Sequence, residues 1–259
     1  MRVDTSRGPD NDGTVDPVTA ARRLLEKSRT VVAFSGAGMS TASGIPDFRS
    51  PGGVWTRHQP VMYQDFLASE DARRRYWAAR REMYRDFRDA RPNAAHLALA
   101  DLEARGRLAA VVTQNIDGLH QEAGSRKVVE LHGTNRRVIC VACRRDHDVA
   151  GVYAGLEAGR DVPVCDGCGG PLKAATISFG QALDEEVLDE AFRLARECEL
   201  MLVLGSSLVV QPAAALPVAA AQSGAHVVIV NRDETPLDGL AAVVIHGPVE
   251  EVVPALTSA

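Results

Sequence analysis

Short apolar runs recur along the chain, separated by polar or glycine-rich breaks. Runs at 31–34, 109–113, 128–131, 175–179, 200–204, 227–230 and 243–245 are dominated by Val, Ile, Leu and Ala. Runs this short and this apolar predict strands buried on both faces, as in a parallel sheet. Helical spacing fills 17–27, 93–105, 184–197 and 212–222. Asp16 is placed to cap the first of these helices, Pro17 occupies its first turn, and Gly106 ends the second. Strands alternating with helices predict an α/β fold, a Rossmann-like parallel sheet with helices on both faces.

Two stretches break the rhythm. Over 64–91 the chain is charged and aromatic, with Phe66, Leu67, Tyr76, Trp77, Met83, Tyr84 and Phe87 spaced roughly as one helical face. This reads as an amphipathic helical excursion, over about 60–91, that packs on the main body; direct contact of some aromatics with a substrate is the alternative. The section 136–173 holds two cysteine pairs and reads as a small inserted module. The expected organisation is a disordered lead over 1–16, a main domain over 17–135 and 174–259, and the module between. A loop rich in Gly, Pro and polar residues is expected over 50–59.

Composition narrows the class. A chain of 259 residues with 46% hydrophobic and 24% charged residues is ordinary for a globular protein. Its net charge of −5 argues against a nucleic-acid partner. No apolar run is long enough for a membrane span, and residues 1–16 lack the apolar core of a secretion signal. Four of the five cysteines fall in Cys-x-x-Cys pairs, which suits metal binding in a reducing, cytoplasmic setting better than a disulfide framework.

The candidate chemistry gathers at strand ends. Gly36-Ala37-Gly38-Met39-Ser40 follows the first strand, in the layout of a tight turn and a helix N-terminus that can hold a pyrophosphate. Thr41 stands where the dehydrogenase fingerprint needs a third glycine, and no acidic strand end follows to hold a ribose. The turn therefore belongs to a nucleotide site of another make. Gln114-Asn115-Ile116-Asp117 follows another strand. Asn115 offers both donor and acceptor to a carboxamide such as that of nicotinamide, and Asp117 can accept from its N–H. His132 ends the next strand and can serve as a general base near neutral pH. Gly205-Ser206-Ser207 and Asn231-Arg232 end two later strands and suit ribose or phosphate. Cys140, Cys143, Cys165 and Cys168 can present four thiolates to one structural zinc ion, the staple a module this small requires.

Taken together, these motifs resemble the sirtuins, NAD-dependent protein lysine deacylases. The matching pieces are Gly36–Ser40, Gly44-Ile45-Pro46-Asp47-Phe48-Arg49, Thr113–His120, Leu131-His132-Gly133, the four cysteines, Ser178-Phe179-Gly180, Gly205–Leu208 and Asn231. The resemblance implies a Rossmann-like domain and a small zinc module, with NAD and an acyl-lysine protein or peptide meeting between them. It implies that Gly36, Ala37, Gly38 and Ser40 hold the diphosphate, and that Phe48 and Arg49 belong to a cofactor loop. Asn115 and Asp117 would position the nicotinamide, Gln114 and Asn231 the ribose groups, and Gly205, Ser206 and Ser207 the adenosine half. Cofactor contacts extend to Thr41, Asp47, Ile116, Arg232 and Val249, and substrate contacts to Ile177, Phe179, Gly180, Leu208 and Val209. The acyl oxygen would attack C1′ as nicotinamide leaves, with His132 as base for a ribose hydroxyl. Gln181 replaces the Glu that many sirtuins carry after Phe-Gly. Trp77 stands where succinyl- and malonyl-removing sirtuins have the Tyr of a Tyr-x-x-Arg pair, with Arg80 three residues on. The pattern is closest to the class II sirtuins, for which protein ADP-ribosyl transfer from the same NAD site is the alternative activity.

Overall fold

The computed structural model describes residues 15–47 and 59–258. Phe48, Arg49, His58, most of the lead over 1–16 and most of the loop over 50–59 lie outside them. In chain order the first elements are α1 (Pro17–Lys27), β1 (Val31–Ser35), α2 (Tyr63–Ala68), α3 (Glu70–Asp89), α4 (Ala94–Ala104) and β2 (Ala110–Thr113). Then come α5 (Leu119–Glu122), β3 (Val128–Glu130), β4 (Gly133–Cys140), β5 (Asp146–His147), α6 (Val149–Glu157) and β6 (Leu172–Thr176). The chain closes with α7 (Glu185–Glu197), β7 (Leu200–Leu204), α8 (Ala215–Gln222), β8 (His226–Asn231), β9 (Val243–His246) and α9 (Val249–Thr257).

Six strands pair in the order β3-β2-β1-β7-β8-β9, every neighbouring pair parallel. Successive strand residues point to opposite faces, and the burial follows that period of two. Val31 and Ala33 join one apolar layer with Leu200, Leu202, Val228 and Val230, packed by α1, α4 and α9 through Leu25, Leu99 and Val253. Val32 and Phe34 join the other with Met201, Val203, Val227 and Ile229, packed by α7 and α8 through Leu194 and Leu216. Strands apolar at every position are thus the mark of a sheet with two dry faces. Asp16 caps α1, accepting from the Thr19 N–H at 2.9 Å, and Gly106 follows α4 at φ +70°.

The run at 175–179 is not a strand of this sheet. The strand instead covers Leu172–Thr176 and joins β4 and β5 in an antiparallel sheet ordered β5-β4-β6. Its limit is set by pairing: Thr176 stands opposite Gly133, where the β4 register shifts. Gly133 sits at φ +70°, and a Cβ there would come within 2.1 Å of Ala175 O.

The excursion is helical, as its periodicity predicts. Most of its apolar face meets the insert, while Phe87 packs with Ile45 and Leu119 of the main domain. Phe66, Tyr76 and Trp77 share one buried cluster with Val138, Cys140, Tyr153, Leu156, Cys165 and Leu172. Trp77 is fully buried, its Nε1–H donates to Leu172 O at 3.1 Å, and Tyr84 stacks on Tyr153 with centroids 3.7 Å apart. Periodicity identifies which side of a helix is buried but carries no information on the partner. Among the described residues no helix is long and apolar enough to cross a membrane.

Candidate functional site

The chain turns back on itself between β1 and β7, and ligands of such sheets bind beyond the carboxyl ends of the strands at that point. The two turns that leave β1 and β7 interlock there. Gly36 N–H donates to Leu204 O at 3.0 Å and Gly38 N–H to Gly205 O at 2.8 Å. A Cβ on Gly36 would lie 2.8 Å from Gly205 O, and one on Gly205, whose φ is +59°, 2.4 Å from Met39 N. Turn-on-turn packing therefore demands these glycines, a cause separate from room for a phosphate. The helix start expected after Gly38 is instead a pair of 3-10 turns, Ala37–Met39 and Thr41–Ser43, closed by Gly44 at φ +88°.

Behind this wall runs a buried polar network. Ser40 donates to Asp117 Oδ2 at 2.7 Å and accepts from Asn115 Nδ2 at 3.1 Å. Leu119 N–H donates to Asp117 Oδ1 at 2.8 Å, and Arg136 Nε to Asp117 O at 2.9 Å. Burial raises the Asp117 carboxyl above its ordinary range, and the bonds from Leu119 and Ser40 oppose that rise. Thr113 Oγ1 accepts both the Ser35 hydroxyl at 2.8 Å and the Asn115 N–H at 3.0 Å. Ser35 Oγ, having spent its proton on Thr113, accepts from His120 Nε2 at 2.9 Å. The His120 ring lies 4.8 Å from that of His96, whose Nδ1 accepts the Asn93 N–H at 3.4 Å. Burial pushes His96 down to about 4; burial and the neighbouring His96 push His120 down to about 3. Both imidazoles are neutral at physiological pH. His96 was invisible in the sequence as a partner, because the pairing joins two elements separated along the chain.

In front of the network opens a cavity of about 440 Å³, a size suited to a dinucleotide-scale ligand. Gly36, Ala37, Gly38, Thr41 and Asp47 line it from the β1 side, and Gly205, Ser206, Ser207, Asn231, Arg232 and Val249 from the other. Gln114, Asn115, Ile116, His132, Ile177, Phe179 and Gly180 of the expected set line it as well. Four expected contacts are placed elsewhere. Ser40 and Asp117 are buried behind the lining, Leu208 is buried at φ +55°, and Val209 is exposed. Val61, Tyr76, Ala79, Arg80, Met83 and Thr176 also line the cavity; of these, Tyr76 fits the alternative of aromatic contact and Arg80 the position singled out, while Val61, Ala79 and Thr176 were not anticipated. The stripe signalled Tyr76 and Met83 as one helical face, and both readings of it, packing and contact with the cavity, hold for these two residues.

His132 Nδ1 lies 3.0 Å from Gln114 O. A carbonyl only accepts, so Nδ1 carries the proton and Nε2 is the basic nitrogen. Gln114 in turn donates through Nε2 to Ser206 Oγ at 2.9 Å, tying the β2 end to the β7 turn. Nearby, Lys173 is buried with its ammonium donating to Ala174 O at 3.4 Å and to Thr176 O, and burial, with Arg80 next to it, lowers it to about 7.

The four cysteines converge at the far end of the small sheet, all their sulfurs within 4.8 Å of one another. Cys140 and Cys168 are 3.5 Å apart and Cys143 and Cys165 3.8 Å. Zinc–sulfur bonds of about 2.3 Å in a tetrahedron place sulfurs ~3.8 Å apart, so the set fits one closed zinc shell.

A doubly wound sheet with its crevice at the switch point, set beside a four-cysteine module, defines a nucleotide-binding α/β protein with a metal-type insert. The chain belongs to the Sir2 family, whose model matches residues 36–212. It is 42% identical over 238 residues to an NAD-dependent protein deacetylase of Thermodesulfovibrio yellowstonii, covering 92% of this chain and 93% of the relative. It is 47% identical over 232 residues to NAD-dependent protein deacetylase 2 of Streptomyces coelicolor, covering 87% and 95%. Among solved structures, a Sir2 protein with deacetylated p53 peptide and 3′-O-acetyl-ADP-ribose superposes with TM-score 0.87 at 42% identity, covering 92% of this chain and 96% of the other. A Sir2 complex with p53 peptide and NAD gives TM-score 0.83 at 44% identity, covering 89% and 93%.

Proposed function

We propose that this protein is an NAD-dependent protein lysine deacylase of the deacetylase type. The observation that carries the reading is His132, set in the cavity wall with Nδ1–H held by Gln114 O. A base so oriented presents Nε2 to a hydroxyl proton without needing to rotate. The relatives are NAD-dependent protein deacetylases, and one structural neighbour holds NAD with a peptide.

The net reaction takes acyl-lysine, NAD and water to lysine, nicotinamide and O-acyl-ADP-ribose. NAD, when bound, supplies the C1′–nicotinamide bond that breaks and the ribose hydroxyl that accepts the acyl group. His132 Nε2 takes the proton from that hydroxyl. Asn115, held by Thr113 and Ser40, turns its carboxamide toward the nicotinamide, while Asp117 fixes Ser40 from behind. Gly36, Ala37 and Gly38 face the diphosphate, Gly205, Ser206 and Ser207 the adenosine half, and Asn231 and Gln114 the ribose hydroxyls. Ile177, Phe179 and Gly180 line the path of the acyl-lysine. One zinc ion on Cys140, Cys143, Cys165 and Cys168 holds the small sheet together and takes no part in the chemistry. Four thiolates kept as metal ligands suit a cytoplasmic setting.

His132→Ala is expected to lower deacylation about a hundredfold or more, while NAD affinity changes only a few-fold. Product mass spectrometry of NAD and acetyl-lysine peptide mixtures reads the turnover, and a calorimetric titration with NAD reads the affinity. Unchanged turnover in the variant, or ADP-ribosylated protein in place of O-acyl-ADP-ribose, sinks the proposal.

A further inference from the structure

Arg80 belongs to α3 and lines the cavity, yet its guanidinium reaches the two strands that join the insert to the parallel sheet. One arm donates to Asn135 Oδ1 on β4, the other to Thr176 Oγ1 on β6 at 2.7 Å. Its central carbon lies over the Tyr76 ring, 5.1 Å from the centroid. The two acceptors sit where the chain passes between the units. Gly133 pairs with Thr176, Asn135 N–H donates to Ile116 O at 2.8 Å, and Ile177 N–H donates to His132 O at 2.8 Å. Three segments therefore meet at one side chain: the excursion, the outgoing strand after His132, and the returning strand before Ile177.

We propose that Arg80 is a positioning residue that clasps this neck, holding His132, Ile116 and Ile177 in register around the cavity. A planar fork holds two acceptors on different strands at a fixed span and orientation, whereas an ammonium is a compact point donor without that fork. The tyrosine ring beneath fixes the plane. One N–H on each terminal nitrogen is held by the protein, which fixes the fork across the two strands. A clasp of this kind acts on acyl chains of either charge alike.

The kinetic arm of the test rests on the deacylase reading; the exchange arm does not. With NAD saturating, Arg80→Met is expected to raise the KM for acetyl-lysine and succinyl-lysine peptides alike, by about tenfold, with the KM for NAD within about twofold of wild type. Arg80→Lys, which keeps the charge and loses the fork, is expected to match Arg80→Met. In an Asn135→Ala, Thr176→Val background Arg80→Met should add little, since the clasp is already open. Hydrogen exchange on the intact protein should show the Asn135 and Ile177 amides opening faster in Arg80→Met. Three results overturn the proposal: Arg80→Lys behaving as wild type, a loss confined to the succinyl peptide, or unchanged exchange at both amides. Absence of turnover by the wild type sinks the deacylase reading instead, and the exchange result then still decides the clasp.

Discussion

The two buried histidines are the residues whose environment most departs from water, and their consequence is a pH dependence with a definite sign. Both titrate near 6.5 in an unfolded chain, and at about 4 for His96 and about 3 for His120 in the fold. The unfolded chain binds protons more readily, so their contribution to stability is complete above pH 6.5. It is lost as pH falls from 6.5 toward 3, by an amount on the order of several kcal/mol. Asp117 and Glu130, raised by burial, bind protons more readily when folded and oppose part of the fall. Urea melts between pH 7.5 and 4.5 should show falling stability, and His96→Gln should remove a share of the slope. A flat profile, or a variant with the wild-type slope, counts against the argument. Of this site His132 was legible from one strand end alone, while the histidine pair was not. The Asn93 N–H bonds to His96, His120 bonds through Ser35 to Thr113, and the two rings meet only by contact; such a pair exists only once α4, α5, β1 and β2 are packed.

At the scale of the element, α4 shows how one cap can serve both fold and site. Asn93 Oδ1 accepts the N–H groups of Ala95 at 3.0 Å and His96 at 3.4 Å, which caps the helix. Its Nδ2 donates to Met39 O at 2.8 Å and Ser43 Oγ at 3.1 Å, which ties the helix to the turns after Gly38. Asn93→Ala should cost about 1–2 kcal/mol in thermal stability and raise the KM for NAD. Asn93→Asp keeps the acceptor and removes the donors, so it should recover most of the stability and little of the KM. If both variants recover together, the tether has no separate role. The Asp16 cap of α1 was legible because capping is local, whereas the double role of Asn93 was not. The strands at 200–204 and 227–230 were legible for the same reason, since each is apolar throughout and buried on both faces. The run at 175–179 was not, because where β6 stops depends on pairing with Gly133, some forty residues earlier.

At the scale of the whole molecule two separate apolar bodies share one cavity, and the metal site belongs to only one of them. Cys140 and Cys165 lie in the same buried cluster as Phe66, Tyr76 and Trp77. That cluster carries the α3 wall of the cavity, Tyr76, Ala79, Arg80 and Met83, whereas Gly36, Gly205 and Asn231 stand on the parallel sheet with its own two layers. A cluster this small cannot offset the ordering of its chain by burial alone, and zinc binding supplies folding free energy directly. Removing zinc with a chelator, or by Cys165→Ser, should therefore loosen the insert and the excursion together while the sheet stays folded. Calorimetry should show one transition split into two, with the lower one following metal content. Titrations should show acyl-peptide binding lost and NAD binding weakened only a few-fold, because the glycine turns do not depend on the insert. A zinc-free protein that melts once at the wild-type temperature would remove the structural role. Equal loss of NAD and peptide binding would show instead that the two bodies fold as one.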